Sequence, residues 1–479
     1  MTVPLRDTLR ELGERMPPAR LPADLWRRGR RQRHRGRVIV AAVIAALLCA
    51  TVAAVPGLHV EPHPAEGGPA IPRSVELPYF WQATVDMAPP GPATVLFGGD
   101  SAGLSSDPFE EEGGKLAVVG RNGAYRVLRY GEQEIRAGQD VRLSPDGNLV
   151  AQSELTGGPA GWLVVTDLRT GRSRGYGDKS PACCFAVAAW RPDSGAVLGV
   201  HYNPGDIMLT GTDVKAGTSA QYVLVDLAGG AMAPVDDAFM DDDSDDSAWL
   251  AAFAPDGRGF VATRPAAGGT ELRGYDATGR RLWTRDLGNR RLAGAGAYTP
   301  DGSGVALLTI DGCTRQCDHD QLAARRWQVS YVDPATGAGR EGPALPAVTG
   351  PAVRALGWTG DTLIVVQYES EDGVTPSQDE TGWEPTRHVR VLALRPDGTI
   401  SVALDPPADV SSIDIAQDLL RDGQFGGPVP APSILPARWP VVAQGALFAL
   451  CLLVPVLLAT VAVVVVLRAV RRRRAAART

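Results

Sequence analysis

The strongest constraint on this chain is a phrase that comes back. An apolar residue and one spacer precede Pro-Asp-Gly, or a near copy of it, and a β-type run follows. The copies are Leu143-Ser-Pro145-Asp-Gly, Trp190-Arg-Pro192-Asp-Ser, Phe253-Ala-Pro255-Asp-Gly and Tyr298-Thr-Pro300-Asp-Gly, with Trp358-Thr-Gly360-Asp as a degenerate one. The physics is that of a tight hairpin. Pro presets φ at the first turn position, Asp bonds its own backbone, and Gly takes positive φ. The runs that follow, 148–152, 196–201, 260–263, 305–309 and 362–367, are strand-like. The aromatic or apolar residue before each turn holds an equivalent place in the repeat, so it is expected to pack equivalently, as core between repeats.

A second phrase follows the first. An apolar run ends in Asp and a Gly-containing turn comes next: Asp167 before Gly171, Asp226 before Gly229, Asp276 before Gly279 and Asp333 before Gly337. Another strand follows each turn, so each unit offers about four strands. Pro145, Pro192, Pro255 and Pro300 are spaced by 47, 63 and 45 residues. Repeats of about 40–50 residues with four strands predict propeller blades. Polar insertions at 203–218 and 311–326 account for the longer units.

These units resemble WD40-like or TolB-type propeller repeats. The layout is similar to that of membrane-anchored propeller proteins of high-GC actinobacteria, and the three Lys among 48 Lys and Arg suit such a genome. The resemblance covers residues 75–420. It departs from true WD40 repeats, whose Gly-His and Trp-Asp pairs are absent. It implies an all-β, six-bladed β-propeller with a binding role, and it implies no reaction. The first blade is expected over 88–137, with strands at 93–97, 115–119 and 124–130. The last is expected over 351–404, with an outer hairpin at Arg395-Pro-Asp-Gly398. Seven blades is the alternative if 74–86 or 410–415 contributes strands. A strand from one end of the chain should close the ring against the other and remove an open edge. Residues 413–420, apolar at 413, 415, 416, 419 and 420, predict a short helix.

Two apolar segments bracket this region. Residues 38–55 hold no charge and no Pro; residues 441–467 are interrupted only by Gln444 and Pro455. Both are long enough for a transmembrane helix, the second with tilt. Of the 48 Lys and Arg, 11 fall in residues 1–37 and 6 in 468–479, with only four of the 54 acids, Asp7, Glu11, Glu14 and Asp24. The positive-inside rule then puts both termini in the cytoplasm. The 31 basic and 50 acidic residues that remain leave the middle near −19, against −6 for the whole chain, which argues against a nucleic-acid partner. The expected organisation is an Arg-rich cytoplasmic head (1–37), a first span (38–55), a linker (56–74), the propeller (75–420), a Pro-rich linker (421–440), a second span (441–467) and a basic tail (468–479). A cleaved signal peptide is the rival reading of the first span, although 37 residues are long for the segment before it.

Arg27, Arg28, Arg30, Arg31, Arg33, Arg35 and Arg37 form a cluster against the first span. It would attract anionic lipid and set topology. Leu5, Leu9, Leu12 and Met16 share one helical face before Pro17-Pro18, so the head also reads as a docking helix for a cytoplasmic partner.

Chemistry-bearing motifs are few. Gly99-Asp-Ser101-Ala-Gly103 fits G-x-S-x-G, but a loop-like sequence follows where a nucleophile elbow needs a helix, so it reads as a loop of blade one. The run 241–246 fails the calcium-loop pattern at its sixth and twelfth positions; Asp241, Asp243 and Asp245 are at best a weak cation site and otherwise a solvated loop. Cys313 and Cys317, with His319 close by, are candidates for a local disulfide, with zinc or free thiols as alternatives. Adjacent Cys183 and Cys184 admit a vicinal bridge, buried thiols or other pairings. Trp81, Trp327 and Trp383 sit in irregular sequence and are the candidate exposed binding aromatics. No cofactor is expected. The expected function is a membrane-tethered, extracytoplasmic sensor or scaffold at the cell envelope, binding a protein or small ligand on the propeller face. An envelope hydrolase or lyase using channel carboxylates is the alternative, which convergent Asp or Glu with raised pKa would favour. A purely structural partner of another membrane protein is a third reading.

Overall fold

A computed structural model describes residues 70–432 apart from 79–81, 100–114, 129–135, 154–161, 178–184, 204–217, 236–238, 242–249, 267–268, 315–316, 371–385 and 409, and beyond them 463–464 and 466–470. The chain divides into two compact units, 1–61 and 62–479, and only the second contains described residues. The Arg27–Arg37 cluster and the span 38–55 lie outside the described residues, as do Ser101, Asp243, Asp245, Cys183, Cys184, Trp81 and Trp383. Among the described residues no helix is long and apolar enough to cross a membrane.

Six sheets of at least four antiparallel strands follow one another along the chain, the succession of a six-bladed β-propeller. Blade two runs from its inner to its outer strand as Val141–Leu143, Leu149–Ser153, Leu163–Asp167 and Arg172–Tyr176. Blades three to six repeat the pattern from inner strands Phe185–Trp190, Ala251–Phe253, Arg290–Leu292 and Ala352–Thr359. Blade one is composite. Its three outer strands, Ala93–Gly99, Lys115–Gly120 and Tyr125–Leu128, come from the start of the described chain. Its inner strand, Ser412–Ile415, comes from near the end and pairs Ile415 with Val95 and Ser412 with Gly98. The ring therefore closes by joining the two ends, as expected, and residues 410–415 complete blade one instead of starting a seventh. Of the helix expected over 413–420, only Gln417–Arg421 is helical; 413–415 is strand.

The repeated turn performs as its chemistry dictates. In the four closer copies the Asp carboxylate accepts the N–H two residues on: Asn148 N donates to Asp146 at 3.1 Å, Gly195 N to Asp193 at 2.9 Å, Arg258 N to Asp256 at 2.9 Å and Ser303 N to Asp301 at 3.0 Å. Gly147, Gly257 and Gly302 hold φ of 71°, 68° and 69°. Blade three has Ser194 at this place with φ 58°, the one non-glycine residue with positive φ among those described. Trp190, Phe253, Tyr298 and Trp358, the residues before the turns, are all buried. Trp327, one of the three candidate exposed aromatics, is also buried, and its indole N–H donates to Gly350 O at 2.8 Å. It sits in the third strand of blade five, where it packs in the core cluster shared with blade six. Strands in a radial array have neighbours on both faces, so an aromatic outside the repeat phrase is still core.

The closure is stitched beyond strand pairing. Ile71–Pro72 and Phe425–Gly427 form a short parallel ladder. The Tyr125 hydroxyl in blade one accepts from Glu76 N at 2.8 Å and donates to Pro430 O at 2.9 Å, tying incoming and outgoing segments to one side chain. Within the insertion 311–326, Asp318 and Gln321 form a capping box on the helix His319–Ala323. The Cys313 and Cys317 sulfurs lie at bonding distance, 2.16 Å, with Cα atoms 5.8 Å apart. Fully buried Arg325 holds this loop by donating to Cys313 O at 2.7 Å and Pro351 O at 3.2 Å.

Candidate functional site

Inner strands line the axis of a propeller, so polar groups on them face one another across blade boundaries. Four consecutive inner strands, those of blades six, one, two and three, contribute a connected polar cluster. Arg354 on blade six donates through Nη2 to Ile413 O at 2.6 Å and through Nε to the Tyr368 hydroxyl at 3.2 Å. Its Nη1 stands 4.0 Å from the carboxylate of Asp414 on blade one. Asp414 in turn accepts Leu143 N on blade two at 3.0 Å and Ile415 N at 3.1 Å. Arg142 on blade two donates through Nε to Val187 O on blade three at 2.8 Å, while the Trp190 indole donates to Arg142 O at 3.2 Å. Just before the blade-two strand, Asp140 accepts Arg136 N at 2.9 Å.

One glycine makes this packing possible. Gly138 has φ 80°, and a Cβ placed there would fall 2.2 Å from Arg354 Nη2. The guanidinium of blade six therefore lies directly over the backbone that leads into blade two.

Burial sets the electrostatics. Desolvation pushes the Asp414 carboxyl above the usual carboxylate range in spite of Arg354 and Arg142. It raises Asp140 likewise, against the pull of Arg136 and its backbone N–H. Arg142 is pushed down to about 10, first by burial and then by the like charge of Arg354. It remains a cation at neutral pH. A guanidinium of this kind binds and orients anions and is no base.

A second feature lies on the surface between the hairpins of blades five and six. A cleft of about 320 Å³ is lined by Tyr331 and Trp358 and rimmed by Asp301, Arg340, Glu341 and Asp361. Its polar groups are largely committed. The Tyr331 hydroxyl donates to Pro343 O at 3.0 Å, and burial pushes its phenol up to about 12. Asp301 is occupied by Thr299 and Ser303.

Of the residues singled out from sequence, Cys313 and Cys317 come together, and Asp241 ends the short strand Phe239–Asp241. The central cluster was not among the sequence candidates. Its only sequence signal is a charge flanked by apolar residues inside an inner strand, as in Val141-Arg142-Leu143 and Val353-Arg354-Ala355.

Comparison with protein-family models returns no match, and comparison with curated proteins returns none. Among solved structures the chain is similar to an oligogalacturonate lyase in complex with manganese (15% identity, 69% of this chain and 78% of that one, TM-score 0.39). It is also similar to TolB from Acinetobacter baumannii (14%, 62% and 67%, TM-score 0.32) and to a prolyl endopeptidase (15%, 62% and 40%, TM-score 0.34). At these identities and scores the three assign no activity, metal or substrate to this chain.

Proposed function

We propose that this is a membrane-tethered, extracytoplasmic propeller that binds a ligand or partner without transforming it, a sensor or scaffold at the cell envelope. One observation carries the binding reading. The cluster's described carboxylates, Asp140 and Asp414, accept main-chain N–H groups, and its remaining charges, Arg142 and Arg354, are guanidinium groups, which can hold a ligand but cannot take its proton. The tether rests on the two uncharged segments, their outer arginines and the acidic middle. The described turns at 463–464 and 466–470 are helical and expose Val463, Val464, Val466, Leu467 and Val470, surface that lipid would cover.

Asp140 and Asp414, both raised by burial, favour a second reading, an envelope hydrolase or lyase that uses channel carboxylates. The binding reading is preferred because both groups are already tied to backbone N–H groups of the fold.

Topology is tested by labelling intact cells with an impermeant thiol reagent, using single cysteines at Thr2, Arg258 and Thr479 in an otherwise cysteine-free chain. The expected outcome is labelling at 258 alone. Labelling at either terminus, or none at 258, overturns the tether.

A further inference from the structure

Arg142 is used unusually little for a buried cation. It is 5% exposed, and only its Nε has a hydrogen-bond acceptor, Val187 O. Among the described residues its two Nη groups donate to nothing and pair with no carboxylate. Asp414, the nearest candidate by position, turns its oxygens to Leu143 N and Ile415 N. Arg354, the other cation of the ring, is in contrast engaged on three sides. The Arg142 guanidinium is thus nearly enclosed, on an inner strand, with the two-nitrogen edge left without a hydrogen-bond partner among the described residues. A buried guanidinium with an open two-nitrogen fork is costly to keep as structure alone, because an apolar side chain of similar volume would fill the place without desolvating a charge.

We propose that Arg142 is the anchor of an oxyanion site in the propeller axis, where its two Nη groups take two oxygens of a small carboxylate- or phosphate-bearing ligand. The fork geometry suits a bidentate oxyanion, carboxylate or phosphate. Arg354 strengthens the field from the neighbouring strand, and burial weakens the opposing charge of Asp140 and Asp414. The Val187 carbonyl fixes the Nε edge, which leaves the two Nη groups to take the ligand. This inference rests on the binding reading above and names the chemistry of what is bound.

The test is calorimetric titration of the full chain in nanodiscs, in a chloride-only buffer, with citrate in one arm and inorganic phosphate in the other. The expected result is one saturable site for at least one probe; the arm that binds identifies the oxyanion. Arg142→Met should weaken binding at least about tenfold, one bidentate charge-assisted contact being of that order, and without ligand it should melt no lower than the parent. An Arg142 that only holds blades together predicts the opposite, a lower melting temperature. If Arg142→Met does not fold, Arg142→Lys keeps the charge without the fork and should bind at least about tenfold more weakly. Arg340→Gln, in the surface cleft, should bind as the parent does. No saturable binding of either probe, or unchanged affinity in the Arg142 variant that folds, overturns the site. Conversion of the bound probe, followed by NMR, would sink the binding-only reading and leave the site standing. A protein captured by the outer domain, with no anion bound, would do the reverse.

Discussion

At the scale of single residues the turns show where this chain departs from its own repeat. Ser194 occupies the positive-φ place that Gly147, Gly257 and Gly302 hold elsewhere. A left-handed backbone costs an ordinary L residue about 1–2 kcal/mol, and glycine gives back about 0.5–1 kcal/mol of that through its larger unfolded-state entropy. Ser194→Gly should therefore stabilise the chain by roughly 0.5–1 kcal/mol. Chemical denaturation, followed by tryptophan fluorescence, would show the midpoint moving up with the slope unchanged; a lower midpoint would mean that the serine side chain contributes more than its backbone costs.

At the scale of elements, the turn aspartates are the acid-sensitive parts. Hydrogen bonds from Thr278 and Arg280 hold Asp276 down to about 2, and those from Ser303 and Thr299 hold Asp301 down to about 2, both from an ordinary 3.8. A depressed folded-state pKa stabilises the fold above the unfolded value, and that stability is lost as pH falls through the folded one. The turns should thus weaken between about pH 4 and pH 2. Asp140 and Asp414 have the opposite sign: raised by burial, they favour the fold below the ordinary carboxylate range and cease to do so as pH rises through their higher values. The double variant Asp276→Asn, Asp301→Asn should flatten the fall in melting temperature between pH 4 and pH 2; an unchanged slope would assign acid sensitivity elsewhere.

The same elements show what could be read in advance. Pro-Asp-Gly turns, the aromatic places before them and closure by a late strand were legible because turn chemistry is local and a repeat states its own period. The polar cluster was not, because alternation marks a buried face only when the other face is wet. In a ring of blades both faces are covered, so Arg142 between Val141 and Leu143 has the pattern of a solvated residue and the environment of a core one. Residues 413–420 misled for another reason: apolar places at 413, 415 and 416 satisfy strand and helix periods alike over so short a run.

At the scale of the molecule, stability depends on the closure. The inner strand of blade one is the sole one taken from beyond its own repeat, and Asp414 and Ile413 within it hold Leu143 and Arg354 of the flanking blades. A chain ending at residue 411 should lose cooperative unfolding and associate through the bare edge at 95–98. Gel filtration with far-ultraviolet circular dichroism would detect this; a monomer with unchanged melting would show that five closed blades suffice.

The short ladder between Ile71–Pro72 and Phe425–Gly427 has a mechanical meaning. Its strands run in the same direction, so the chain enters the ladder at one end and leaves it at the other. Tension applied through the two flanking segments would load the ladder in shear, all contacts at once, where an antiparallel pair pulled from one end opens like a zip. With Tyr125 pinned to both segments, the closure is built as a clasp that shares the load along the line of pull.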